Sequence, residues 1–326
     1  MTKLITALRL NMTNVQDPAV DHHARYQAAL DMAEYADQHS FNIVNCEEHH
    51  VARNGWLPSP LVMAAAVAGR TKNININITA LLITLYDPVR LAEDIAVLDN
   101  LSNGRFNFVA GLGYRPEEYH AVGRNWERRG ELMDECLDVL LKAWGAEPFE
   151  YQGQLINVTP KPKSKPHPFF FVGGMSAAAA RRAARFGLPF YPPMHLPDIE
   201  KIYLDEMKKQ GKRGMVYYPV QGSTMTLIHE DPEQAWKQFT PYILNETTEY
   251  SSWKREGVPR PSENTANTME ELKAEKKFEI VTPEQCLANI RAGRHTLVFN
   301  PLVGGLPLDE GWKTLKLFVE HVKPHL

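Results

Sequence analysis

Ile74–Phe106 reads ININITALLITLYDPVRLAEDIAVLDNLSNGRF, and its punctuation divides it into a strand, a helix and the start of a second strand. Ile74, Ile76 and Ile78 alternate with Asn75 and Asn77, the period-2 pattern of a half-buried strand. The run turns continuously apolar at Ala80, so one face changes character there and a bulge or irregular peptide is predicted. Asp87 then supplies a side-chain cap and Pro88 a first helical residue whose missing N–H costs nothing. Asn103-Gly104 supplies the stop.

The same rhythm extends outward in both directions. Short apolar runs at Leu4–Met12, Phe41–Cys46, Phe169–Gly173, Leu188–Tyr191, Ser223–His229 and His295–Leu302 join Ile74–Leu85 and Phe106–Gly111 as eight strand candidates. Between the first two, Tyr26, Ala29, Leu30, Ala33 and Ala36 recur at helical spacing over Arg25–His39. Alternating strands and helices predict an α/β fold, a (β/α)8 TIM barrel, and a barrel with excursions accounts for 326 residues as a single domain, 1–326. Two stretches break the rhythm. Thr159–Pro168 carries four prolines and reads as an extended connector. Glu246–Lys277 is polar, contains Pro259 and Pro261, and reads as an insertion between strands seven and eight, helical near Met269–Lys276 and suited to a lid.

Composition narrows the function classes. Hydrophobic residues are 44% and charged residues 23%, the balance of a folded globular chain, and the net charge of −3 offers no broad basic footprint for nucleic acid. Cys46, Cys136 and Cys286 lie far apart without CxxC spacing, which points to a reducing, cytoplasmic setting. The opening MTKLITALRLNMTN is too short and too polar for a membrane span, and no later run reaches that length.

Glu47-Glu48-His49-His50 follows the second strand candidate, at the end where barrel enzymes place their chemistry. Strand alternation would send Glu47 and His49 one way and Glu48 and His50 the other, so one histidine faces the mouth. A metal reading would need His120 or His229 as well, and no HxH or HExxH spacing occurs; no metal site is expected. Gly111-Leu112-Gly113 follows the fourth strand candidate, but Pro116 stands where a dinucleotide fingerprint needs its third glycine. A turn that lets backbone approach a flat ligand and a purely structural turn both remain open. Gly173-Gly174-Met175-Ser176 leads from the fifth strand candidate into an alanine-rich helix, which makes either an anion cradle or an ordinary capped turn. Gly304 and Gly305 stand at the barrel mouth or in a structural loop.

In order and spacing, EEHH, DPVRLAEDIAVLDNLSNGRF, GLGYRPEEYHAVG, VGGMS and NPLVGGLP resemble the bacterial luciferase-like flavin monooxygenase family over nearly the whole chain. The resemblance implies an α/β barrel holding a flavin at its C-terminal mouth, reduced FMN used with oxygen on a small-molecule substrate, and in many members a homodimer. A related branch uses a deazaflavin for hydride transfer. It implies that His49 lies near the reactive flavin edge, that Thr79 and Ala80 form a non-prolyl cis peptide beneath the ring, and that Gly111 lies against the flavin. Gly173, Gly174, Met175 and Ser176 would bind the phosphate, with Arg129, or Arg128 under a one-residue shift. Gly113 and Tyr114 stand where luciferases carry a reactive cysteine and a phosphate-binding arginine. A separate reductase would supply the flavin. A non-catalytic flavin-binding barrel and a metal-dependent hydrolase are the alternatives.

Overall fold

The Ile74–Phe106 unit folds as its punctuation dictates. In the computed structural model, which describes residues 4–15, 21–217, 225–254 and 264–326, Ile74, Ile76 and Ile78 are buried to 1% exposure or less. The helix that follows spans Pro88–Leu101; the Asp87 carboxylate accepts from the Val89 and Arg90 amides at 3.0 Å, and Asn103 and Gly104 turn the chain with positive φ. The irregularity expected at Ala80 is there: the Thr79–Ala80 peptide is cis and the strand register shifts between Thr79 and Leu81.

The strands in chain order are β1 (Ile5–Leu10), β2 (Ile43–Cys46), β3 (Asn75–Leu81), β4 (Phe106–Ala110), β5 (Phe149–Tyr151), β6 (Gln154–Ile156), β7 (Phe169–Gly173), β8 (Phe190–Tyr191), β9 (Met225–Ile228), β10 (Phe278–Val281) and β11 (Thr296–Phe299). Nine of them form one sheet in the order β10-β9-β11-β1-β2-β3-β4-β7-β8, every neighbouring pair parallel. β5 and β6 make a separate antiparallel hairpin. Helices follow most of the strands and cover one face of the sheet, where Phe108 and Phe170 stack at 4.7 Å within a continuous apolar core. This is the α/β barrel architecture expected. Residues of both end strands, Tyr191 of β8 and Phe278 of β10, line the same cavity as Arg9 of β1, so the sheet curls round on itself.

Three features refine or differ from the sequence reading. Phe278–Val281 adds a ninth strand, a run of four residues too short to stand out after the charged stretch before it. The insertion therefore joins β9 to β10. Its start is also not a polar surface: Glu246 and Glu249 lie in the helix Pro232–Ser252, buried against cationic partners. Thr268 caps a short helix, Met269–Glu275, where one was expected, and residues 255–263 of the insertion lie outside the described residues. Gly304 and Gly305 leave the mouth. A Cβ on Gly304 would overlap the Tyr242 carbonyl, and one on Gly305 would meet Asn14, so both serve close backbone packing.

Candidate active site

The C-terminal ends of the strands surround a cavity of about 720 Å³. Arg9 enters from β1, Thr79 and Ala80 from β3, Val109 from β4, Gly173 from β7 and Tyr191 from β8, while Glu246, Thr247 and Tyr250 of the helix Pro232–Ser252 close one side. Two glycines are required by close packing around it. A Cβ on Gly111 would stand 2.7 Å from the Ala80 Cβ, and one on Gly173 would stand 2.8 Å from Val109 Cγ1. The cis peptide can therefore lie directly against the β4 turn, with the Gly111 amide donating to the Leu81 carbonyl at 2.8 Å.

All nine residues singled out from the sequence line this cavity: His49, Thr79, Ala80, Gly111, Arg129, Gly173, Gly174, Met175 and Ser176. His49 faces it and His50 turns away. The His49 Nδ1 lies 2.9 Å from Glu118 Oε1 and its Nε2 lies 3.3 Å from the Tyr114 hydroxyl. Trp253, Trp56 and Tyr114 surround the ring at centroid distances of 4.6, 5.1 and 5.6 Å. The His50 Nε2 pairs with Glu48 at 2.9 Å, and Glu48 also accepts from the Leu82 amide at 2.6 Å and from Tyr86. Burial opposes charge on His50, but the Glu48 hydrogen bond and charge outweigh it and raise its pKa. Glu48 thus holds the chain just beyond the cis peptide.

A buried ion cluster also lines the cavity, with Arg9 5.8 Å from the Trp56 ring. The Arg9 guanidinium meets Glu47 at 2.5 and 2.9 Å and Glu246 at 2.5 Å. Burial works against the charge on Arg9, yet Glu246 and Glu47 more than compensate and its pKa is raised. Burial likewise works against ionised Glu246, but Arg9 and hydrogen bonds from Asn11 and Thr13 hold its pKa below the usual carboxylate value.

Ser176 caps the ten-residue helix Ala177–Phe186, its hydroxyl accepting from the Ala179 amide at 3.2 Å. The helix N-terminus borders the cavity together with Arg129 and with Arg182, whose guanidinium is also held by Asp134 at 2.5 Å, a combination that favours an anion. Arg129 lies over Trp126 at 4.0 Å. Arg128 is not part of this wall: its side chain is 65% exposed and pairs with Glu131 at 2.7 Å. Among the described residues no group of three or more His, Cys, Asp or Glu is placed to hold a metal ion. His229 instead accepts from the Asp231 amide and contacts Lys313.

A family model described as luciferase-like monooxygenase matches residues 8–300. The chain belongs to the luciferase-like monooxygenase family, and is thereby an oxidoreductase. An alkanal monooxygenase beta chain of Photorhabdus laumondii is 26% identical over 288 residues, 86% of this chain and 84% of that one. An uncharacterised protein of Sinorhizobium fredii is 31% identical over 164 residues, a match that spans about half of either chain (49% and 47%). Among solved structures, a monooxygenase of Streptomyces bottropensis superposes with a TM-score of 0.75 at 24% identity and 99% coverage of both chains. The oxygenating constituent of 3,6-diketocamphane monooxygenase of Pseudomonas putida, solved in complex with FMN, superposes with a TM-score of 0.67 at 19% identity, covering 100% of this chain and 99% of that one. At these identities the two structures share the fold.

Several residues of the site carry little sequence signal. Arg9 sits inside an apolar strand where a cation looks like a simple interruption, and its partner Glu246 is 237 positions away. Glu118 hides among the charges of a helix start, although its pairing with an upstream histidine could have been sought within the GLGYRPEEYHAVG stretch. In sequence Tyr250 and Trp253 are merely aromatics within the polar Glu246–Lys277 stretch; in the fold they form part of the aromatic shell of His49.

Proposed function

We propose that this luciferase-like protein is a monooxygenase that uses reduced FMN and molecular oxygen to oxidise a small organic substrate. The observation that carries this reading is that one cavity has an anion-favouring end, at Ser176, Arg129 and Arg182, and an aromatic end that holds His49. A flavin mononucleotide has the matching asymmetry, a phosphate on one side and a flat ring on the other. Residues present fit it. Ser176, the Gly173-Gly174 turn, Met175 and Arg129 would hold the phosphate, while Thr79, Ala80 and Gly111 would lie against the ring. The Trp56 Nε1 and Asn264 Nδ2 donors are buried beside the cavity without partners among the described residues, and the oxygens of a flavin or substrate would satisfy them.

When bound, reduced flavin supplies the electrons that activate oxygen. The chain's own task is to orient the reactants, keep water out and move a proton. Trp56, Tyr250 and Trp253 exclude water around His49, whose imidazole would take part in the proton transfer. Reduced flavin would come from a separate reductase, because the chain carries no complete nicotinamide fingerprint. The protein would act as a cytoplasmic homodimer.

Anaerobic titration with reduced FMN and reduced deazaflavin in parallel tests the reading. Tighter binding of FMN, with rapid reoxidation on admitting oxygen, is expected. Preference for the deazaflavin with hydride transfer, or binding of neither, would overturn it.

A further inference from the structure

We propose that Tyr114, His49 and Glu118 form a proton-transfer triad, in which Glu118 fixes the histidine tautomer and Tyr114 is the group that meets the substrate. The assignment rests on the proposed monooxygenase function only for the use made of the triad; its geometry stands without a flavin.

Glu118 is fully buried, and its Oε1 is approached by three groups: the His49 ring at 2.9 Å, the His50 amide at 3.1 Å and the Arg115 guanidinium at 3.2 Å. A carboxylate held among donors accepts, so the His49 Nδ1 carries the proton. The neutral ring then presents Nε2 as an acceptor, and the group opposite it is the Tyr114 hydroxyl at 3.3 Å. With Nε2 the acceptor, the Tyr114 hydroxyl is the donor across this contact, and burial, followed by the neighbour Tyr250, pushes its pKa far up and keeps the phenol protonated. Tyr250 in turn is hydrogen bonded to Tyr114. Tyr114 is half-buried where His49 is 9% exposed, which leaves the phenol as the more accessible end of the chain.

The order of atoms matches the logic of a nucleophile or acid activated by a histidine that a third group orients. Because the phenolate is disfavoured, the transfer is concerted. A substrate X–H bond breaks and leaves its electron pair on X; that proton bonds to the Tyr114 oxygen as the phenolic proton passes to His49 Nε2. The imidazolium so formed stands beside the Glu118 carboxylate. Reversal of the same steps returns a proton to the product. The charges around this ring are Glu118 and Arg115 on the β4 side, Glu48 and His50 on the β2 side, and Tyr250 on the helix Pro232–Ser252. Glu118 is therefore a positioning residue, and Tyr114 and His49 carry the proton.

The test needs neither flavin nor substrate. Protein labelled with 15N-histidine is examined by long-range 15N–1H correlation at alkaline pH, with His49 assigned by its loss in His49→Gln. The expected resting state is the Nδ1–H tautomer, the less common one for free imidazole in water. Glu118→Leu, which removes the acceptor, should abolish that preference, whereas Tyr114→Phe should keep the tautomer and move the Nε2 resonance toward that of a free imine nitrogen. Far-UV circular dichroism and melting curves establish that each variant is folded. An Nε2–H tautomer in the wild-type protein would overturn the proposal. So would an unchanged tautomer in folded Glu118→Leu, or an unchanged Nε2 resonance in folded Tyr114→Phe. Failure of FMN to bind, by contrast, would remove the monooxygenase reading and leave these three spectra unaffected.

Discussion

Arg9 and Glu246 stand 237 residues apart in the chain, yet the guanidinium and carboxylate meet at 2.5 Å beside the cavity, tying β1 to the helix Pro232–Ser252. Glu47 takes the rest of the guanidinium, and Asn300 and Thr13 reach the Glu246 carboxylate. This ties four separate parts of the barrel mouth into one network.

Removing one partner of such a pair leaves the other charge buried and uncompensated, at a cost of roughly 3–5 kcal/mol. Arg9→Met should therefore lower the denaturant midpoint strongly, and Glu246→Gln less, because Glu47 still accompanies Arg9. The pH dependence follows from the lowered pKa of Glu246. A depressed carboxylate stabilises the fold above its unfolded pKa, the ordinary glutamate value of about 4.5, and that stability fades as pH falls through the lower folded value. The gap between wild type and Glu246→Gln should be widest near neutrality and shrink below about pH 4.5. A gap independent of pH in urea titrations would contradict the assignment.

Ser176→Ala should weaken FMN more than riboflavin, since only FMN presents a phosphate to the helix N-terminus. Losing a charge-assisted hydrogen bond costs roughly 1.5–3 kcal/mol, about tenfold or more in affinity. The serine also caps its helix, so about 1 kcal/mol of stability should go with it. Comparing the two ligands in the same variant cancels that loss. Arg129→Met should follow the same pattern while Arg128→Met changes neither, because Arg129 lines the cavity and Arg128 pairs with Glu131 at the surface. Equal weakening of FMN and riboflavin by Ser176→Ala would place the phosphate elsewhere.

The histidine pair separates function from stability. His49→Ala should depress turnover far more than flavin affinity, by about 10²–10⁴-fold for a lost acid–base group. His50→Ala should act on the fold through Glu48, which holds the Leu82 amide beyond the cis peptide. His50 has a raised pKa, so its contribution is fully present below the unfolded value near 6.5 and is lost as pH rises through the folded one. Melting of His50→Ala and wild type should converge toward alkaline pH. Large turnover losses for His50→Ala alone would mean that the wrong ring has been placed at the mouth.

How much of this could be read beforehand depended on whether the signal was local. Asp87-Pro88, Asn103-Gly104 and Ser176 specify helix ends within a few residues, and the structure keeps each of them. The change of pattern at Ala80 marked the irregular peptide because a strand's alternation fails there within the strand itself. Partners brought together only by closing the barrel left no such trace: Arg9 with Glu246, and Trp56 with Trp253, have no spacing that sequence could reveal. β10 was missed for a different reason, since Phe278 and Ile280 are its only two buried residues and four residues give too short a window for periodicity.

The insertion tests the difference between a lid and a wall. Its polar composition suggests easy local opening, yet the described part is anchored: Trp253 is 9% exposed, lies 4.6 Å from His49 and 5.3 Å from Trp56, and receives the Arg115 guanidinium at 4.0 Å. Glu249 fixes the preceding helical turn by accepting from the Arg53 amide at 3.0 Å. Amides of 246–253 should therefore exchange slowly even in the flavin-free protein, because opening them breaks both contacts together. Trp253→Ala should remove the indole that shields the His49 side of the cavity. With reduced FMN and oxygen supplied, water entry should then divert turnover, so that hydrogen peroxide release rises relative to substrate oxidation. Trp253→Phe keeps an aromatic surface over His49 and beneath Arg115, and should recover most of the coupling. Rapid exchange across 246–253 without flavin, slowed on binding, would show a closing lid. Unchanged coupling in folded Trp253→Ala would show that water is excluded by other parts of the wall.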